Sequence, residues 1–154
     1  MLDTPQIIQT TTQPTAALHL IVPRAVIQRV MGPGLAELRA AVAAQNIAIT
    51  GPWFTHHLTM DQETFDFEIC VPVSAPIQPT SRVQPSRWPA MKIARTIHQG
   101  PYERLGAAWA EFDNWVTSHG HTPASDLWER YLAGPDANPD PSTFCTELNR
   151  PLTG

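Results

Sequence analysis

The sequence predicts an α+β fold in which one βαββ unit occurs twice. Hydrophobic patterning runs strand, helix, strand, strand through the first half of the chain and repeats that order in the second half. Residues 68–72 and 147–151 both begin with glutamate and end with proline, and a Thr-Phe pair stands shortly before each segment. Two such units paired edge to edge give an antiparallel sheet with pseudo-twofold symmetry, two helices on one face and a ligand groove on the other.

The domain organisation follows from length and composition. The chain has 154 residues, which suits one compact domain or two small halves that share a core. Residues 1–16 are rich in Thr, Gln and Pro without periodicity, so we expect a mobile arm or leader there. A single domain is predicted over residues 17–154, with its halves at about 17–74 and 90–152.

The first half is predicted to contain a strand over residues 18–30, a helix over 35–46, and strands over 53–60 and 64–73. Pro23 interrupts the first run, and proline cannot donate to a sheet ladder, so this segment is expected to be an edge strand or a broken one. Gly32, Pro33 and Gly34 form a turn signal that can open the helix.

The second half is predicted to contain an extended connection over residues 74–89, a strand over 91–99, a helix from 102 to about 120, and strands over 125–133 and 143–152. Gly100-Pro101 stands before the second helix and is matched with Gly32-Pro33 of the first half. An apolar stripe at helical spacing predicts the buried face of this helix, with Leu105, Ala108, Trp109, Phe112 and Val116.

Charge and composition exclude several classes of protein. Ten basic and fourteen acidic residues give a net charge of −4, and the arginines are scattered, so direct nucleic-acid binding is not expected. No apolar run approaches the ~20 residues of a membrane helix, and no secretory signal is present, so a cytoplasmic location is predicted. Cys70 and Cys145 are expected to be buried thiols, and no metal or cofactor is predicted.

Four segments carry a resemblance to a known family: FDFEICVPV, HQGPYERLGAAW, WERYL and TELNRPL. In this order and spacing, over residues 18–152, the chain resembles the GyrI-like small-molecule-binding domain, also called the AraC-type effector-binding domain. The resemblance implies a duplicated βαββ fold with a groove between its halves. It also implies binding of hydrophobic, often cationic or planar aromatic compounds, as in multidrug and toxin recognition.

Glu129 is the first candidate site residue. Strand alternation puts Leu127, Glu129 and Tyr131 on one face. From the residues alone, a solvated glutamate paired with Arg130 or Arg104 is the favoured reading. The resemblance implies the opposite, because the matching family glutamate faces the pocket and contacts the ligand. Glu129 is then the charge anchor for a cationic ligand, with the Tyr131 ring stacked beside it.

Four further residues are candidates for ligand binding. His57 corresponds to Tyr131, where family members commonly carry an aromatic residue, so histidine is a departure that adds a group titrating near neutral pH. Its alternative is a partly exposed strand histidine. Tyr102 is implied to lie near the pocket mouth, with a helix cover as its alternative. Trp53 and Trp88 stand beside prolines and could rim a groove, although packing is favoured for each.

Three other residues are assigned to the fold. Trp109 lies on the helical stripe and is expected to pack in the core. Glu68 and Glu147 occupy matching places in the repeat, so we expect them to meet backbone donors or arginines across the pseudo-twofold axis. The alternative is a buried pair of carboxylates with perturbed pKa values, which would qualify as catalytic. Arg95 and Arg130 are the expected partners for acids on neighbouring strands.

Three functions remain open. The first is a stand-alone binding domain for drug or toxin sensing or sequestration, because 154 residues leave no room for a DNA-binding module after the arm. The second is a hydrolase, because some single-domain relatives open strained cyclopropane-bearing DNA-alkylating compounds. Glu129 would then be the general acid or base, with Tyr131 or His57 orienting it. The third is a module that contacts a protein partner or forms a homodimer.

Overall fold

A computed structural model describes residues 2–60, 63–135 and 137–153. Within these ranges the helices are α1 (Ile27–Ala44) and α2 (Leu105–Ser118), and the strands are β1 (Gln6–Gln9), β2 (Gln13–Pro23), β3 (Phe54–Met60), β4 (Thr64–Pro72), β5 (Val83–Trp88), β6 (Lys92–Gln99), β7 (Thr122–Pro123), β8 (Leu127–Ala133) and β9 (Cys145–Thr153). The strands pair antiparallel, which confirms the α+β class. Neither helix of the described chain has the length and apolar character that crossing a membrane requires.

The chain forms two compact units. The first unit is Thr11–Ala90, and the second combines Met1–Thr10 with Met91–Gly154. The strand order is β3-β4-β2-β5 in the first unit and β8-β9-β6-β1 in the second, where β7 also pairs with β9. The βαββ unit therefore occurs twice, as predicted, once as β2-α1-β3-β4 and once as β6-α2-β8-β9. Each copy carries an additional strand beside its first strand.

The core of the first unit lies between α1 and one face of its sheet. Alternation along β4 directs Phe67, Ile69 and Val71 to this face, and all three are fully buried. Leu38 and the rest of the apolar stripe of α1 pack against them. A Cβ atom on Gly34 would lie 2.7 Å from Cδ1 of Ile69, so glycine at this position lets the helix approach the strand closely.

The core of the second unit is built in the same way. The predicted stripe of α2 is confirmed, since Ala108, Trp109, Phe112 and Val116 are buried. These side chains pack against three buried residues of the sheet, Ala94, Leu127 and Leu148. Arg150 extends this face with a bidentate pair to Asp113, at 3.1 and 2.8 Å, and its guanidinium lies 5.1 Å from the centre of the Trp109 ring.

A charged network lies on the opposite face of the second unit. Glu147 is 6% exposed, and its Oε1 accepts hydrogen bonds from Arg130 Nη2 at 2.7 Å and from Asn149 Nδ2 at 3.1 Å. Arg95 Nε lies 3.2 Å from the same oxygen. Arg95 and Arg130 are therefore partners of an acid on a neighbouring strand, as predicted, and Glu147 meets them within its own unit.

The cysteines are free thiols. Cys70 is buried as expected, while Cys145 is half-buried. Burial raises the pKa of the Cys70 thiol well above its ordinary value, and the nearby Glu68 charge acts in the same direction. Cys70 is thus a packing residue rather than a reactive thiolate.

The amino-terminal segment differs from the expectation of an unstructured arm over residues 1–16. Gln6–Gln9 form β1, which pairs with β6, and β2 begins at Gln13. A short edge strand is held by backbone hydrogen bonds, so it needs no hydrophobic period in its sequence. The expectation of an edge or broken strand at Pro23 agrees with the structure. β5 pairs with β2 only over residues 13–18, so residues 19–23 pair with β4 alone, and the strand ends at Pro23.

The first helix begins earlier than predicted. A 3-10 turn over residues 24–26 follows Pro23, and α1 starts at Ile27, so Gly32 and Pro33 lie inside the helix. The true counterpart of Pro101 is Pro23, because each is extended (ψ 151° and 143°) and leads into a 3-10 turn. Packing of α1 on β2 and β4 outweighs the helix bond that Pro33 cannot make.

The proline-rich connection over residues 74–89 also contains a strand that was not predicted. Val83–Trp88 form β5 at the outer side of β2. β5 is the last strand in the order of this sheet. An edge strand tolerates proline because a missing backbone N–H on its outer side breaks no hydrogen bond to another strand.

We predict that Glu147→Gln lowers the free energy of unfolding by about 3 kcal/mol, since it removes the charge that two partly buried arginines share. Urea denaturation measures this change. The control is Glu37→Gln, which breaks an exposed pair with Arg82 and should leave stability nearly unchanged. Equal effects of the two substitutions would contradict a structural role for Glu147.

Candidate functional site

Glu129 is a buried carboxylate between β8 and α2. Its side chain accepts a hydrogen bond from the Trp109 indole Nε1 at 2.7 Å and another from the Tyr131 hydroxyl at 2.8 Å. The residue is 8% exposed, so the expectation of a solvated glutamate is wrong. Arg130 hydrogen-bonds Glu147 on the neighbouring strand. The indole and phenol that donate to Glu129 are neutral groups, and their two bonds fix the orientation of the carboxylate.

The face on which Glu129 lies differs from the expectation. The ligand groove was expected on the sheet face opposite the helices. Tyr131 and Glu129 instead share the face that α2 covers, because Trp109 of α2 reaches the carboxylate. Cross-strand pairing agrees, since Glu129 stands opposite Leu148, a core residue under α2.

Aromatic rings surround this position. Tyr102 lies in the 3-10 turn before α2, with its ring 6.0 Å from that of Tyr131 in an edge arrangement and 4.9 Å from that of Phe144. A Cβ atom on Gly134 would lie 2.8 Å from the Tyr102 hydroxyl, so the absence of a side chain there gives the ring its room. Glu129 therefore contacts the Trp109 indole and the Tyr131 phenol, and the Tyr131 ring connects it to the rings of Tyr102 and Phe144.

A row of polar residues crosses the sheet beside Glu129. His98 of β6 pairs with Thr146 of β9, and Thr146 pairs with Tyr131 of β8, so the three side chains lie on one face. Burial lowers the pKa of His98, although a hydrogen bond to the Pro101 carbonyl and the charge of Glu129 act in the opposite direction. The imidazole is consequently neutral at neutral pH.

His57 holds the same place in the first unit. The β3–β4 register shifts after His57, as the β8–β9 register shifts after Tyr131. His57 is buried rather than partly exposed. Its Nε2 lies 3.2 Å from the Thr55 hydroxyl, and its ring stacks on Phe67 at 5.4 Å. Thr55 therefore occupies the position that Glu129 has in the second unit, and the acidic group belongs to one copy of the repeat.

The two tryptophan candidates lie in different surroundings. Trp88 is buried on the sheet face away from α1, with its ring edge-on to Phe54 at 5.1 Å. Trp53 is half-buried and packs against the core cluster under α1. Trp88 therefore does not share a face with His57.

Of the predicted site residues, the second unit brings Glu129, Tyr131 and Tyr102 together. Sequence reasoning missed the role of Trp109, which was assigned to packing alone. A signal was available, because a buried indole N–H requires an acceptor. It also missed His98 and Thr146, whose common face follows from strand register rather than from spacing along the chain.

A repeated βαββ architecture with a buried carboxylate among aromatic rings is that of a small-molecule-binding domain. The family model for the GyrI-like small molecule binding domain matches residues 4–151, nearly the whole chain. This chain belongs to that family. A search of curated proteins gave no significant match.

Solved structures share the fold. The crystal structure of the EcmrR C-terminal domain is similar with a TM-score of 0.86 and 21% identity, over 97% of each chain. In the EcmrR–DNA complex, the TM-score is 0.83 at 21% identity, and 97% of this chain spans 57% of the EcmrR chain. A hydrolase from Listeria innocua gives a TM-score of 0.68 at 14% identity, over 97% of this chain and 91% of that one. SAV2435 bound to tetraphenylphosphonium gives 0.66 at 14% identity, over 99% and 95%.

We predict that stability falls on acidification partly through His98. Its pKa is lowered in the folded protein, so below the unfolded value of about 6.5 the unfolded state binds more protons and the free energy of unfolding decreases. Urea denaturation between pH 7.5 and 5 should show a smaller decrease for His98→Phe than for the wild type. Parallel pH profiles would contradict this assignment.

Proposed function

We propose that this domain binds amphipathic organic cations, with Glu129 as the charge anchor inside the ring cluster of the second unit. The observation that carries the proposal is the buried carboxylate whose two oxygens accept hydrogen bonds from the neutral Trp109 and Tyr131. Such bonds fix the direction in which the carboxylate points. A cation of complementary shape then meets a preorganised negative charge.

The free energy of binding would come from two sources. At the low effective dielectric of a partly buried site, attraction between a cation and the Glu129 carboxylate is several times stronger than in water. The faces of Tyr131, Tyr102 and Trp109 add cation–π attraction. Apolar contact contributes about 25 cal/mol per Å² before the cost of association is subtracted.

Comparison with the other acids of the second unit supports this role. Glu147 binds Arg130 and Arg95, and Asp113 binds Arg150. These acids serve ion pairs that hold strands and helix together. Glu129 accepts hydrogen bonds from an indole and a phenol, which fix the direction in which its carboxylate points and set it among groups that can pack against a ligand.

The similarity to SAV2435, which was solved with the organic cation tetraphenylphosphonium, supports this proposal. EcmrR was solved as a DNA complex. For the present chain we propose sensing or sequestration of drug-like or toxic cations in the cytoplasm. The net charge of −4 disfavours direct contact with nucleic acid. Any signal to DNA would then pass through a protein partner.

We predict that Glu129→Gln weakens binding of tetraphenylphosphonium by at least about tenfold, because the amide keeps the size of the side chain and removes its charge. Binding of the neutral triphenylphosphine oxide should change by less than about threefold. Isothermal titration calorimetry measures both affinities, and quenching of Trp109 fluorescence provides a second signal.

The matched control is Glu111→Gln, which removes an exposed charge on the same helix as Trp109. It should bind both compounds like the wild type. Equal losses for the cation and the neutral compound in Glu129→Gln, or no loss for either, would refute the anchor role.

A second candidate function is hydrolysis of strained cyclopropane-bearing alkylating compounds. It is favoured by the Tyr131 hydroxyl 2.8 Å from the Glu129 carboxylate, a pair able to move a proton, and by the similarity to a Listeria innocua hydrolase. Glu129 would accept a proton from water as the water oxygen bonds to a ring carbon. The breaking C–C bond would pass its electron pair to the conjugated carbonyl oxygen, which would take up a proton.

If the hydrolase function holds, we predict that the pure protein opens many equivalents of such a compound and that Glu129→Gln slows turnover by ~10²–10⁴-fold. Liquid chromatography with mass spectrometry detects the water adduct. If each chain sequesters only one equivalent of the compound and no water adduct forms, the result would indicate binding rather than hydrolysis.

A further inference from the structure

Two buried polar atoms of the second unit carry a further inference. Among the residues that the structure describes, neither His98 Nδ1 nor Thr146 Oγ1 has a hydrogen-bond partner. His98 is 3% exposed and Thr146 is 0% exposed, so water does not reach them from the surface. Buried polar groups are nearly always paired, and an unpaired one costs free energy of folding.

The chemistry of the two atoms can be assigned. His98 Nε2 lies 3.4 Å from the Pro101 carbonyl oxygen, which can only accept, so Nε2 carries the hydrogen. In the neutral ring, Nδ1 is then an acceptor with a free lone pair. The Thr146 hydroxyl can both donate and accept. Both atoms can therefore accept hydrogen bonds, and they belong to cross-strand neighbours.

This position belongs to the Glu129 site. Thr146 is the cross-strand partner of both His98 and Tyr131, and Tyr131 donates to Glu129. The charge of Glu129 also acts on the pKa of His98, so the two side chains lie close enough to interact.

A purely structural explanation fits less well. Thr96 lies two residues from His98 on the same strand and face, and its hydroxyl is satisfied by the Asp3 carbonyl at 2.7 Å. Valine at position 146 would fill the same volume without an unpaired hydroxyl. Threonine at position 146 is therefore less favourable for folding than valine would be. This cost indicates that the hydroxyl serves to bind a ligand.

We propose that His98 Nδ1 and Thr146 Oγ1 accept hydrogen bonds from the ligand, so that the site prefers protonated amines with N–H groups over quaternary cations. This inference rests on the proposed function, since it names the class of cation that Glu129 anchors. A primary or secondary ammonium group places its charge against the carboxylate and its N–H groups toward the two acceptors. A quaternary cation offers the charge alone.

Two probes of equal charge and equal ring system test the inference: 1-naphthylmethylammonium and its N,N,N-trimethyl analogue. Thr146→Val should weaken binding of the primary ammonium about three- to tenfold, the loss of one hydrogen bond, and leave the trimethyl analogue unchanged. Thr146→Ser, which keeps the hydroxyl, should bind the primary ammonium like the wild type. His98→Phe, which keeps a ring and removes the acceptor, should repeat the loss independently.

The melting temperature of the ligand-free protein is a second measurement. Thr146→Val should melt at the same or a higher temperature than the wild type, because it removes an unpaired buried hydroxyl. Equal weakening of both probes, or no weakening of either, would overturn the inference. If Glu129→Gln still weakens both probes, the proposed function survives that failure. A wild-type protein that binds neither probe would overturn both.

Discussion

In the second unit, the packing of α2 against β8 depends on the Glu129 carboxylate, which accepts a hydrogen bond from each of these elements. Glu129 is buried where a packed core would ordinarily hold an apolar side chain, and burial of a carboxylate is tolerated only where hydrogen bonds stabilise it. Trp109 and Tyr131 supply those bonds, one from α2 and one from β8. The same two side chains also pack as rings, so the orientation of the charge is fixed by the packing of the core.

The repeat explains where such a site can arise. Both units use an extended proline, a 3-10 turn, a helix and a bulged strand pair, which give the same scaffold twice. The copies differ at the positions that face the helix. Arg24 over the Phe65 ring, at 4.2 Å, corresponds to Tyr102 beside Phe144. With Thr55 in place of Glu129, the first copy keeps the scaffold without the charge.

Much of this fold could be predicted from sequence, because period-two patterning identifies β3, β4, β6, β8 and β9 and helical spacing identifies α2. The edge strands β1 and β5 could not, since backbone pairing leaves no hydrophobic period. The start of α1 was misplaced because Gly32 and Pro33 normally mark a boundary. Alternation set Glu129 and Tyr131 on one face, but contact with Trp109 depends on how α2 packs, which spacing along the chain does not encode.

Strand alternation also separates Arg130 from Glu129. Arg130 follows it directly in the sequence, yet adjacent strand residues point to opposite faces. On its own face Arg130 is held by Glu147, which Arg95 and Asn149 contact as well. The sheet therefore holds two carboxylates on opposite faces, one bound to arginines and one that accepts hydrogen bonds from an indole and a phenol. The pleat of two neighbouring strands thus separates the ion-pair network of the second unit from the carboxylate that lies under α2.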